Sequence, residues 1–285
     1  MKTTVSSATK TVTIADDRPT VIIGERINPT GKKKLAAALL EGSLDIVRQE
    51  AIRQVAAGAD ILDVNVGAAG VDEVALLPEA IKIVMEAVDV PLCIDSANPD
   101  ALQAALEVYQ GKPIVNSVNG KESSLERILP LVKQYNAVVI GLCMDDEGIP
   151  ENDPDRRLAI AKKIVSRAEA LGIPREDVLI DCLALTLGAN TKAGLVTLEA
   201  MRKVKAELGV NLTLGASNIS FGLPDRELLT SAFLAICIAA GLTCPIVDAA
   251  KVRPAILAAD LALGKDDYGR RYIRAYRARL KAQAG

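Results

Sequence analysis

Short runs of β-branched and aliphatic residues alternate along this chain with longer stretches whose apolar positions recur at helical spacing. That is the pattern of repeated strand–helix units around a parallel sheet. Strands are predicted near residues 20–23, 60–64, 91–94, 113–116, 137–141, 178–180, 211–214 and 244–247, each followed by a helical stretch. The clearest helix has Pro154 in its first turn, sets Leu158, Ala161, Ile164, Val165, Ala168 and Leu171 on one face, and stops at Gly172. Arg156, Arg157, Lys162, Lys163, Arg167 and Glu169 fall on its other face, which reads as solvated. No Pro/Gly/Ser-rich linker separates the units. The prediction is an α/β protein, a single (β/α)8 TIM barrel spanning residues 20–285, rather than an open doubly wound sheet. Residues 1–19 read as a short N-terminal arm or hairpin over the bottom of the barrel, because Thr11-Val12-Thr13-Ile14 alternates. Residues 265–285 read as a final C-terminal helix, with Tyr268, Tyr272 and Tyr276 at four-residue spacing expected to pack.

Composition narrows the chemistry. The 285 residues suit one barrel, and half are apolar, with no Trp and two Phe, so the core is aliphatic and the strands are expected to be buried on both faces. The net charge of −2 comes with no long run of either sign, and no Lys/Arg cluster with stacking aromatics is read from it, so no nucleic-acid partner is expected. No apolar run approaches the roughly 18 residues that span a bilayer, and residues 1–19 lack an apolar export segment, which predicts a cytoplasmic protein without membrane contact. Five cysteines without C-x-x-C spacing predict small buried hydrophobes rather than disulfides or a zinc site. There is no histidine, which excludes Ser/His/Asp triads, imidazole acid–base work and His-containing metal sites. No metal is expected on this chain.

In such barrels the reactive groups lie where the strands end, since the strand-to-helix loops converge there. Those positions hold Glu25 and Asn28, Asp63 and Asn65, Asp95 and Asn98, Asn116 and Asn119, Asp145 and Asp146, Asp181, Asn218, and Asp248. Helix starts recruit Asp and Asn as caps whatever the function, and Asn98 before Pro99 reads as a cap. Asp63, Asp95, Asn116 and Asp181 instead end apolar strands several residues before a helix start, where a polar group is costly unless it has a partner. A 2-amino-4-oxo pterin suits such groups: its amino group and ring N–H donate to carboxylates, and its ring nitrogens and carbonyl accept from amides. No P-loop or G-x-G-x-x-G follows any strand.

The segments Gly24-Glu25-Arg26-Ile27-Asn28-Pro29-Thr30-Gly31, Leu62-Asp63-Val64-Asn65-Val66-Gly67, Ile94-Asp95-Ser96, Asn116-Ser117 and Leu214-Gly215-Ala216-Ser217-Asn218-Ile219-Ser220 resemble, in order, the motifs of the pterin-binding methyltransferases. That family includes methyltetrahydrofolate:corrinoid protein methyltransferases and the folate module of cobalamin-dependent methionine synthase. The resemblance implies that Asp63, Asp95, Asn116 and Asp181 hold the pterin and that Asn218, the catalytic candidate, hydrogen-bonds toward N5. Arg226 resembles a rim arginine of the corrinoid branch. Tetrahydrofolate or 5-methyltetrahydrofolate would be the substrate, with the corrinoid (cobalamin) brought by a partner protein that docks on the rim, including residues 65–72 and 220–225. A homodimer is the family expectation, and the residues leave the direction of methyl transfer open. The family's usual Asp-Pro after the sixth strand is Asp181-Cys182 here. Dihydropteroate synthase, with the same kind of fold and pocket, is the alternative, although its strand-1 and Ser-Arg motifs are replaced by Asn28-Pro29-Thr30-Gly31 and Ser217-Asn218. A non-catalytic folate-binding subunit is the other alternative.

Overall fold

Eight parallel strands close on themselves in the computed structural model, which describes residues 1–284. A hairpin of β1 (Lys2–Ser6) and β2 (Thr11–Ala15) precedes them. The barrel strands are β3 (Ile23–Ile27), β4 (Ile61–Val64), β5 (Leu92–Asp95), β6 (Ile114–Asn119), β7 (Val138–Leu142), β8 (Val178–Asp181), β9 (Asn211–Gly215) and β10 (Leu242–Val247), with β10 closing on β3. Helices α1 (Lys33–Leu40) and α2 (Asp45–Ala57) follow β3. Around the outside come α3 (Glu73–Ala87), α4 (Pro99–Val108), α5 (Glu122–Gln134), α6 (Pro154–Ala170), α7 (Ala193–Leu208), α8 (Arg226–Ala239) and α9 (Ala249–Ala262).

The hairpin plugs the end of the barrel where the strands begin. Its Val5 and Ile14 are wholly buried in one cluster with Ile23, Ile61, Cys93, Ile114, Val138, Leu179 and Cys244, the lowest layer of the interior. Asn211, at the start of β9, fastens it by donating to Thr3 Oγ1 at 2.9 Å and to the Ile14 carbonyl at 3.1 Å. The barrel therefore opens only at the other end. All five cysteines are buried and free, and among the described residues no helix is long and apolar enough to cross a membrane.

Four expectations need correction. The first barrel strand begins at Ile23, three residues later than predicted: Val21 and Ile22 already bond to Thr243 and Ile61, but Thr20 gives its N–H (3.0 Å) and hydroxyl (2.7 Å) to Asp260 and the Ile22 N–H goes to Asp60. Glu25 consequently lies inside the strand instead of after it. Arg157, expected on the solvated face of α6, is 0% exposed, whereas Leu171, expected in the core, is exposed. The terminal helix α10 (Arg270–Ala284) starts five residues late, since Asp266 caps it by accepting from the N–H groups of Arg271 and Tyr272. Tyr268 lies before the helix at φ 57° and is 88% exposed, and Tyr276 is also exposed, so these two tyrosines do not pack. The absence of a cationic cluster with aromatics is the fourth: α10 gathers Arg270, Arg271, Arg274, Arg277, Arg279 and Lys281 beside Tyr272 and Tyr276. Gly285 lies outside the described residues.

Candidate functional site

Strand side chains alternate between faces, so a residue two places beyond an interior one points to the same interior, one layer higher. The lowest layer contains Ile23, Ile61, Cys93, Ile114 and Leu179. Two residues further along stand Glu25, Asp63, Asp95, Asn116 and Asp181. One rule thus carries an aliphatic floor and a polar tier above it, facing the open end. Register sets Asp95 directly beside Asn116 on adjacent strands.

The tier is internally wired. Asn116 Nδ2 donates to Asp63 Oδ1 at 3.1 Å, and Asn65 Nδ2 donates to Asp95 Oδ2 at 2.9 Å. Asn65 is itself fixed, its Oδ1 accepting from the Gly67 N–H at 2.7 Å. Ser96, next to Asp95, donates to Glu73 at 2.6 Å. Across the barrel, Asp181 accepts from the N–H groups of Leu183 (2.7 Å) and Gly215 (3.2 Å), which ties the end of β8 to the end of β9. Beside Asp95 and Asn116 a cavity of about 330 Å³ opens at the rim, lined also by Ser117, Asn119 and Lys121. Its size is in the range of small-molecule sites.

Burial sets the electrostatics. It pushes the Asp63 carboxyl well above the usual carboxylate range, and the neighbouring Asp95 charge pushes it further. Asp95 is raised to about 6, first by burial, against the opposing hydrogen bond from Asn65. Burial also raises Asp181 to about 6, opposed by its two backbone donors. Glu25 is raised by burial against the hydrogen bond from Ser217. Near neutral pH the tier offers acceptors that a ligand's N–H groups can stabilise in their charged form.

Asn218 stands on a 3-10 turn, Ala216–Ser220, that continues β9. Its side chain is exposed at the mouth and folds back over Gly215, where a Cβ would come within 3.1 Å of the amide nitrogen. Gly215 is therefore a close-approach glycine. Ser217 of the same turn donates to Glu25 at 2.7 Å. Arg226, the first residue of α8, grips the turn from outside: it donates to the Ser217 carbonyl at 3.0 Å and to Ser220 Oγ at 3.2 Å and lies over the Phe221 ring. Asp63, Asp95, Asn116 and Asp181 thus share the tier and Asn218 overhangs it, while Arg226 lies beyond the tier and holds the turn through Ser217 and Ser220. Asn98, Asp72 and Asp248 accept from helix N–H groups as caps.

Four residues that support the site are not expected from the sequence. Glu73 and Ser96 meet only through the fold. Gln54 accepts from the Arg26 N–H at 2.8 Å and leaves room only for glycine at position 24, and its signal is a polar residue on the α2 face that buries Val47 and Ala51. Arg157 donates to the carbonyls of Pro150 (2.9 Å), Cys182 (2.7 Å) and Leu183 (2.8 Å), holding the loop that leaves Asp181.

Comparison with known proteins identifies the family. The family model described as pterin binding enzyme matches residues 24–248. The chain is 32% identical over 267 residues to a methylcorrinoid:tetrahydrofolate methyltransferase of Eubacterium limosum, covering 90% of this chain and 96% of that one. It is 33% identical over 267 residues to the methionine synthase of Mycobacterium tuberculosis, covering 88% of this chain but 22% of that longer protein. Among solved structures, Yersinia pestis DHPS with a pterine-sulfa conjugate aligns with a TM-score of 0.71 at 18% identity, covering 91% of this chain and 98% of that one. Dihydropteroate synthase from Xanthomonas albilineans, in complex with 7,8-dihydropteroate, aligns at 0.69 and 20% identity, covering 91% and 98%. At such identities the likeness is one of fold.

Proposed function

The chain belongs to the family of pterin-binding enzymes, and we propose that it moves a methyl group between N5 of tetrahydrofolate and the cobalt of a corrinoid held by a separate protein. The observation that carries this reading is likeness along nearly the whole length of a methylcorrinoid:tetrahydrofolate methyltransferase, in a chain whose fold sets an amide, Asn218, over a tier of carboxylates.

In this reading Asp63, Asp95, Asn116 and Asp181 take the pterin's donors and acceptors, and the ring lies at the barrel mouth with N5 toward Asn218. Charge changes at N5 as its bond to methyl forms or breaks. A donor already aimed there stabilises that change without reorganising. An amide supplies a hydrogen bond but no proton, so water carries the proton that N5 gains or loses. Arg226 and the Ser217–Glu25 bond hold the turn that presents the amide. The corrinoid supplies the cobalt that exchanges methyl with N5, and this chain, with no histidine to ligate cobalt, leaves it to its carrier.

Calorimetry tests the substrate class. Tetrahydrofolate and 5-methyltetrahydrofolate should bind, while nucleotides and sugar phosphates should not, since among the described residues no glycine-rich phosphate loop lines the rim. Absence of heat with either folate at millimolar concentration would sink the proposal.

A further inference from the structure

Helix α10 has no part in the polar tier, yet it carries six cationic side chains and no acidic one. Arg270, Arg274, Arg277 and Lys281 follow one another at four, three and four residues, which places them in one stripe along the helix. They share an open groove of about 610 Å³ with Tyr268 and Ile273. All four are exposed, and among the described residues none is paired with a carboxylate, unlike Arg271 of the inner face, which meets Asp260 at 3.2 Å. Ile273, Tyr276 and Leu280 form an exposed apolar line beside the stripe. Like charges at these spacings weaken a helix, so a stripe of this kind gains from an acidic surface laid against it.

The course of α10 says where that surface would sit. The helix starts at the base, beside the Asp260 that anchors Thr20. It ends near the rim, where Ala278 and Arg279 share a cavity with Ala249 and Ala250, the first residues of α9 after β10. A second copy fits poorly. The chain's own acidic segment, with Asp145, Asp146, Glu147, Glu151, Asp153 and Asp155, follows β7, on the side of the barrel opposite β3 and β10. Pairing stripe with acidic segment between copies would run head to tail and not close into a dimer.

We propose that the α10 stripe is a docking surface for an acidic face of the corrinoid-carrying protein, which must lie over the rim to bring its cobalt to N5. The inference rests on the proposed methyl transfer. The stripe would steer encounter and hold the carrier at the edge of the barrel, away from the reacting atoms.

The test is a triple variant, Arg274→Glu with Arg277→Glu and Lys281→Glu, assayed with a corrinoid protein that the unaltered chain serves and, separately, with free methylcobalamin. With the carrier, kcat/KM should fall at least tenfold at low salt and lose most of its salt dependence. With free methylcobalamin, rate and folate Kd should be unchanged, which also shows that the variant is folded. The corresponding triple glutamine variant should fall between. Equal rates with the carrier, or equal losses with both corrinoids, would overturn the inference. So would self-association lost in the variant on sedimentation, or binding to phosphatidylglycerol vesicles in place of a carrier effect. If the unaltered chain transfers methyl with neither corrinoid, the methyl-transfer reading itself fails and this inference with it.

Discussion

Replacing Asp95 with Asn keeps the outline of the side chain and removes its charge. One carboxylate oxygen accepts from Asn65 at 2.9 Å, and the residue lines the rim cavity, so the other oxygen is the one offered to a ligand. A hydrogen bond to a charged acceptor contributes about 1.5–3 kcal/mol, which at about 1.4 kcal/mol per decade is a roughly 10- to 150-fold weaker Kd for 5-methyltetrahydrofolate. Because the Asp95 carboxyl is raised to about 6, the difference between Asp and Asn should be largest at pH 8 and shrink below pH 6, where the native residue is itself neutral. Stability should move the other way. A carboxyl whose folded pKa lies above its unfolded value contributes stability that is full below about pH 4 and lost as pH rises through about 6. The ligand-free protein should therefore melt lower at pH 8 than at pH 5, and Asp95→Asn should reduce that difference. Calorimetry at pH 8 and pH 5.5, with thermal melts of the same samples, measures both. A folded variant whose affinity at pH 8 changes less than twofold would refute the assignment of Asp95 to the ligand.

Asp181→Asn should cost stability as well as affinity, because both oxygens accept backbone N–H groups and an amide can serve only one; a loss of about 1–3 kcal/mol is expected in urea melts, and an unchanged midpoint would contradict it. Asn218→Ala should slow methyl transfer by roughly 10²-fold or more while leaving folate Kd within a few-fold, as for other preorganised donors, and an unchanged single-turnover rate would remove it from the chemistry. Arg157→Ala should lose about 3 kcal/mol in urea melts, since three carbonyls lose a buried charged donor; a loss below about 1 kcal/mol would show that the loop after β8 holds itself.

Much of the candidate site is legible in the sequence because it follows from period two. An apolar residue on the barrel floor and a polar one two places on recur at Ile61 and Asp63, Cys93 and Asp95, Ile114 and Asn116, and Leu179 and Asp181. What escapes depends on partners remote in sequence. Residues 20–22 are as β-prone as the strand they precede, and Val21 and Ile22 already bond to residues of β10 and β4, but the Thr20 and Ile22 N–H groups go to Asp260 and Asp60 and the regular ladder starts only at Ile23. Arg157 sits beside the half-exposed Arg156 on a helix wheel, and its burial is decided by carbonyls about 26 residues away. The α10 stripe is different. Its spacing is present in the sequence, but it emerges only when the tyrosines are not assumed to pack.

Methyl transfer between folate and cobalt is measured by mixing the protein with tetrahydrofolate and a methylated corrinoid protein without oxygen, following the cobalt absorbance and the folate product together. Methyl transfer from cobalt to N5 leaves Co(I), forms one 5-methyltetrahydrofolate and releases one proton, so the two products should appear in equal amounts and at the same rate. The reverse mixture should approach the same equilibrium. Folate binding by calorimetry with no change in the cobalt spectrum, for either mixture and with free methylcobalamin as well, would make the chain a folate-binding protein and exclude methyl transfer.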